Sequence, residues 1–123
     1  MEQRTLVAVV DDDESVRESL PDALKRIGFA ARAFASAEEF LASAFIADAQ
    51  CLILDVNLPG MSGPELQREL IRRGHAIPTV FITAQSPHSI PPSLLEQGAV
   101  ECLFKPFSKE ELRAALGTAL KRT

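Results

Sequence analysis

Tyrosine and tryptophan are absent from this 123-residue chain, and cysteine and methionine occur only twice each. The two cysteines, Cys51 and Cys102, fall inside apolar runs, and neither has a second Cys or a His at metal-ligand spacing. That pattern argues against a thiolate metal site and points to two buried free thiols in a reducing compartment rather than a disulfide. Long apolar runs are missing as well. The first, TLVAVV, is short and stops at three aspartates, so it is neither a signal sequence nor a membrane span, which needs about 20 apolar residues. There is no internal repeat, low-complexity tract or linker. Nor is there an excess of positive charge. A net charge of −4 argues against nucleic-acid binding by this chain and gives no reason to expect a membrane partner.

What remains is globular: 46% hydrophobic and 24% charged residues, in a chain long enough for one domain that buries roughly 65–70% of its unfolded surface. Short apolar runs at Leu6–Val10, Phe29–Phe34, Cys51–Leu54, Thr79–Thr83 and Val100–Phe104 read as strands. Between them the apolar residues recur with helical period: Val16, Leu20, Leu24 and Ile27; Phe40, Leu41 and Phe45; Leu66, Leu70 and Ile71; Leu112, Leu116 and Leu120. Ser15/Glu18, Ser36/Glu39, Ser62/Glu65 and Ser108/Glu111 have capping-box spacing, and Gly28, Gly74 and Gly98 fall where helices should stop. Alternating strands and helices predict a parallel sheet with helices on both faces. Ligands of such a sheet bind beyond the carboxyl ends of its strands.

Those ends carry polar residues: Asp11, Asp12 and Asp13 after the first strand, Asp55 after the third, Thr83 after the fourth and Lys105 after the fifth. Taken singly, each has an ordinary reading as a helix cap, a turn residue or a strand former. Taken together they conflict. Two carboxylates ~5 Å apart repel by ~3 kcal/mol at an effective dielectric near 20, so the cluster calls for a cation. Oxygen ligands with open positions for water and phosphate suit Mg²⁺. Lys105 and Thr83 could each take an oxygen of an incoming phosphoryl group, and Asp55 could carry that group as an acyl phosphate.

The segments VVDDDESVRESL, LILDVNLPGMSG, VFITA and FKPF, in this order and spacing, resemble the receiver domains of two-component response regulators. The wording around SAEEFL and KPF is closest to the nitrogen-fixation-regulator subfamily. The resemblance implies an α/β fold over residues 1–123: a doubly wound, five-stranded parallel sheet in the order 2-1-3-4-5, flavodoxin- or receiver-like. It makes Asp55 the phosphoacceptor, with Mg²⁺ held by Asp11, Asp12, Asp55 and the backbone carbonyl of Asn57. Thr83 becomes the switch hydroxyl and Lys105 the phosphate-binding lysine, joined to Pro106 by a cis peptide bond. Asn57 and Gln85 occupy positions that tune dephosphorylation; both are uncharged amides, so fast hydrolysis is not expected.

The implied partners are a sensor histidine kinase or phosphotransfer protein, and a downstream protein target or an output domain not contained in this chain. The implied protein is cytoplasmic, forms a phosphorylation-dependent dimer, and is no enzyme beyond its own phosphotransfer and dephosphorylation.

Three features depart from the family pattern. Cys102 stands where receivers carry the Tyr or Phe of a Thr–aromatic switch, so the readout of phosphorylation is expected to be altered. Pro91 and Pro92 lie in SPHSIPPSLLEQG, where the helix between the fourth and fifth strands belongs. They are tolerable only in a first turn, which predicts a late, short or irregular helix and an unusual output surface. Pro21 falls inside the first helix and should kink it or remove one hydrogen bond. The alternative reading is a pseudo-receiver, a protein-interaction module that works without phosphate. An aspartyl-phosphate hydrolase would want a second aspartate where Asn57 stands, and flavin binding would want a Ser/Thr/Gly loop in place of DDDE.

Overall fold

A computed structural model describes residues 4–84 and 99–120. Strands β1 (Leu6–Val10), β2 (Ala30–Phe34), β3 (Cys51–Asp55), β4 (Thr79–Thr83) and β5 (Ala99–Phe104) form one sheet in the order β2-β1-β3-β4-β5. Every neighbouring pair is parallel. The described helices are α1 (Glu14–Arg26), α2 (Ala37–Leu41), α3 (Gly63–Arg72) and α4 (Lys109–Leu120), the last one following β5. Among the described residues no helix is long and apolar enough to cross a membrane.

Strand periodicity divides the core into two layers. Val7, Val9, Ile53, Val80 and Ile82 point to one face, where Leu20 and Leu24 of α1 and Leu112 and Leu116 of α4 cover them. Ala8, Val10, Leu52, Leu54 and Phe81 point to the other, against Phe40 of α2 and Leu66 and Leu70 of α3. All residues of β3 and β4 are buried, which is why these strands read as unbroken apolar runs.

Two helices end as their glycines require. Gly28 (φ 101°) and Gly74 (φ 86°) adopt the left-handed conformation. At each, the following amide reaches back to the helix: Phe29 N–H to the Leu24 carbonyl and His75 N–H to the Leu70 carbonyl. Ser62 and Glu65 form the expected capping box of α3, and Ser108 and Glu111 exchange the same pair of bonds before α4.

Several local readings are corrected. Asp13, not Ser15, caps α1, its Oδ1 accepting from both the Ser15 amide (3.0 Å) and hydroxyl (2.8 Å). The Phe40–Phe45 segment is not one helix: Ser43 ends α2 and starts a separate 3₁₀ turn, Ala44–Ile46, by accepting from the Phe45 amide. Ile71 faces solvent at 52% exposure, because the buried stripe of α3 runs through Gly63, Leu66, Gln67 and Leu70. Cys102 is half-buried, not fully buried. Helix α1 continues through Pro21 without interruption, losing the one bond that proline cannot donate. Gln85, Pro91, Pro92, Gly98 and the helix expected among them lie outside the described residues.

Candidate functional site

The carboxyl ends of four strands meet at one edge of the sheet. Asp11 follows β1, its amide bonded to the Phe34 carbonyl at 3.1 Å, and it is fully buried. Its Oδ1 accepts the Asp13 amide at 2.9 Å, while Oδ2 accepts from Lys105 Nζ, also at 2.9 Å. Asp12 is exposed. Asp55 is the last residue of β3 and is buried; Oδ1 accepts the Asn57 amide at 3.0 Å, and Oδ2 lies 3.8 Å from Lys105 Nζ. One carboxylate oxygen from each of Asp11, Asp12 and Asp55 lies within 4.8 Å of the others. Thr83 ends β4, fully buried. Its carbonyl accepts the Lys105 amide at 2.8 Å, which carries the β4–β5 ladder one residue past β5 and so places the lysine. The Lys105–Pro106 bond is cis.

Burial pushes the Asp55 carboxyl up to about 6; the neighbouring Asp11 adds to this, while the Asn57 amide and Lys105 oppose it. Burial also works against the Lys105 charge. The bond to Asp11 and the Asp55 and Asp13 carboxylates outweigh it and raise the lysine pKa. Asp13 is held below the usual carboxylate range by the Ser15 hydroxyl and amide. Three clustered carboxylates thus face one ammonium, and every carboxylate donor is a hard oxygen. That set fits Mg²⁺ and lacks the nitrogen and sulfur ligands of a zinc site.

Cys102 is paired in register with Phe81 and packs on the α2–α3 side of the sheet. Burial, then the nearby Glu101, raises its thiol pKa. Asn57 is exposed.

Two neighbours of the site escape a reading of the motifs alone. Arg17 Nη1 donates to the Asp11 carbonyl at 3.2 Å, clamping the acidic turn from one helical turn inside α1. Gly63 seats the start of α3 on β3: a Cβ there would meet the Asp55 carbonyl oxygen at 2.3 Å. The glycine is visible in the sequence, but the backbone it touches is not.

Comparison with known proteins agrees with this architecture. The model of the response regulator receiver domain matches residues 7–117. The response regulator protein TmoT of Ectopseudomonas mendocina is 38% identical over 120 residues, spanning 98% of this chain and 54% of TmoT. The structure of response regulator StyR superposes with a TM-score of 0.87 at 40% identity, covering 97% of this chain and 60% of StyR. FixJ-N superposes with a TM-score of 0.84 at 36% identity, covering 99% of this chain and 98% of FixJ-N. The chain spans about half the length of the curated relatives it matches, 54% of TmoT and 53% of TodT from Pseudomonas putida.

Proposed function

The chain belongs to the response regulator receiver family of two-component systems, and on that premise we propose that it is a phosphorylation-controlled switch with Asp55 as its phosphoacceptor. One observation carries the reading. The Asp55 carboxylate ends a fully buried strand beside Asp11 and Asp12, with Lys105 Nζ 3.8 Å from its Oδ2.

The donor is a phosphohistidine of a sensor kinase or phosphotransfer protein. An Asp55 oxygen attacks phosphorus, the phosphorus–nitrogen bond breaks, and the imidazole leaves with its electron pair and is reprotonated. Asp11, Asp12, Asp55 and the Asn57 carbonyl would hold Mg²⁺, which when bound neutralises charge on the phosphoryl oxygens and the carboxylates. Lys105, tethered to Asp11 at 2.9 Å, is the cation that can turn to a phosphoryl oxygen on Asp55. The Thr83 hydroxyl takes another, and the strand ends that carry these two residues shift population between two states. The uncharged Asn57 beside the site offers no general base for water, so no unusually fast hydrolysis of the acyl phosphate is expected. In this role the chain processes only its own phosphoryl group, in the cytoplasm, and transmits its state to an output region or a separate protein.

A second reading, a phosphate-independent interaction module, draws on Cys102, a half-buried thiol that cannot act as a rotating aromatic ring. Intact mass after incubation with Mg²⁺ and acetyl phosphate separates the two. One added phosphoryl group is expected, missing from Asp55→Asn and from a chelated sample. No adduct, with acetyl phosphate or with a phosphorylated kinase, would leave only the second reading.

A further inference from the structure

The loop from Asn57 to Ser62 joins β3 to α3 and is tied down at three places. At its base the Gly63 amide donates to the Val56 carbonyl at 3.2 Å. In its middle Leu58 is buried in the α2–α3 side of the core. At its tip the Met61 amide donates to Glu38 Oε2, on helix α2, at 3.0 Å. The first tie joins the two ends of the loop itself, and the second is to the core at large. The third comes from 23 residues away.

The fit at the tip is close. Gly60 turns through φ +72°, and a Cβ on it would lie 2.8 Å from the same Glu38 oxygen. The left-handed backbone favours glycine at this point, and a methyl there would also push the Glu38 carboxylate aside. Among the described ion pairs none involves Glu38; its carboxylate takes the Met61 amide in a charge-assisted bond. The adjacent Glu39 has a different task, accepting the Ala35 amide at 3.3 Å beside the α2 cap.

We propose that Glu38 is a positioning residue for the phosphoacceptor loop: by holding the Met61 amide it fixes the path of the segment that carries Asn57, and so sets the affinity of the acidic site for Mg²⁺. This rests on the reading above, in which the Asn57 carbonyl is a metal ligand. A ligand carried on a tethered loop needs less ordering when the cation binds, so losing the tether weakens binding without removing a ligand. What matters here is the bond to the Met61 amide and not a direct contact of Glu38 with the acidic site, because Glu38 touches none of its carboxylates or the lysine through a described bond.

The test is calorimetric titration of Mg²⁺ into the unphosphorylated chain, for wild type, Glu38→Ala and Glu38→Gln, with thermal melts in chelator alongside. Glu38→Ala is expected to bind Mg²⁺ roughly three- to tenfold more weakly, as loss of one such bond implies. Glu38→Gln keeps an acceptor for the Met61 amide and should stay within about twofold of wild type. Met61 amide hydrogen exchange, faster in Glu38→Ala and protected in Glu38→Gln, ties the change to this bond. Equal affinities in wild type and Glu38→Ala would overturn the proposal, and so would a Glu38→Gln as weak as Glu38→Ala. If Glu38→Ala does not fold, Gly60→Ala presses a methyl on the same oxygen and must weaken Mg²⁺ binding, or the proposal is wrong. A wild-type chain that takes up no Mg²⁺ would remove the metal reading itself, an outcome distinct from wild-type binding that is indifferent to Glu38.

Discussion

The Lys105 ammonium donates to Asp11 Oδ2 at 2.9 Å, across 94 residues of sequence. It is closer to this fully buried carboxylate than to Asp55, at 3.8 Å. The lysine is therefore a structural counter-ion to Asp11, whatever it does toward a phosphoryl group. A buried carboxylate stripped of its partner is costly, more so with a second one beside it.

Lys105→Met should accordingly destabilise the chain in chelator by about 2 kcal/mol, the scale of a hydrogen bond to a charged group. Mg²⁺ should return part of that loss by supplying the missing positive charge. Urea denaturation with and without the metal measures both effects. A variant as stable as wild type in chelator would mean that the Asp11 contact contributes nothing to folding.

Asp55→Asn should do the reverse. The Asp55 carboxyl is raised to about 6, first by burial and then by Asp11, above the ~3.9 of an unfolded aspartate. A raised folded pKa favours the folded state at low pH, and that advantage is lost as pH rises through the folded value. Without metal, stability should therefore decline between about pH 4 and somewhat above pH 6. The asparagine variant should lack that part of the decline and melt above wild type at pH 7 in chelator. Melts across this range decide it; parallel curves for the two proteins would mean that Asp55 is not the group whose titration sets this decline.

The strands and the strand-end residues were legible because each is announced locally. An apolar run of four or five that stops at Asp55 or Asp11 needs no distant information. The glycine stops at Gly28 and Gly74 were legible for the same reason. Where two local signals competed, the spacing could not choose: Asp13 outdid Ser15 as a cap, and Ser43 cut a helix that the aromatic spacing of Phe40 and Phe45 had suggested. Ile71 was misplaced because it is one residue from Leu70, and a step of about 100° around the helix carries it from core to solvent. Arg17 and Glu38 were illegible for another reason. Each reaches a backbone atom on a different element, and no periodicity encodes where a long side chain lands.

Gly63→Ala should damage the site and the fold together. The new methyl would sit 2.3 Å from the Asp55 carbonyl oxygen and 3.1 Å from the Val56 Cα, both of them backbone atoms that cannot rotate away. Overpacking of this kind costs about 1–3 kcal/mol. Relief requires α3 to move off β3 or the Asp55 backbone to shift, so labelling by acetyl phosphate should slow even where the variant remains folded. The check is the labelling rate at a temperature where circular dichroism shows wild type and variant equally folded. Unchanged labelling would mean that α3 gives way without disturbing Asp55.

The two cysteines should differ in reactivity, and the difference reports on β5. Thiolate is the reactive form, so a raised pKa protects. Burial pushes Cys51 up to about 11, and no part of the residue is exposed; it should react only when the sheet unfolds. Cys102 is also raised by burial and by Glu101, but it is half-buried on β5, so brief openings of that strand suffice to expose it. Iodoacetamide at pH 8 should therefore alkylate Cys102 slowly and Cys51 not at all, with both reacting in denaturant. Peptide mapping distinguishes the sites. If a phosphoryl group on Asp55 reorganises the strand ends through Thr83 and Lys105, the Cys102 rate should change on treatment with acetyl phosphate and Mg²⁺. The Asp55→Asn chain should show no such change. An identical Cys102 rate in fully labelled and unlabelled wild type would mean that the β5 face does not carry the switch, and that the signal leaves the site by another route.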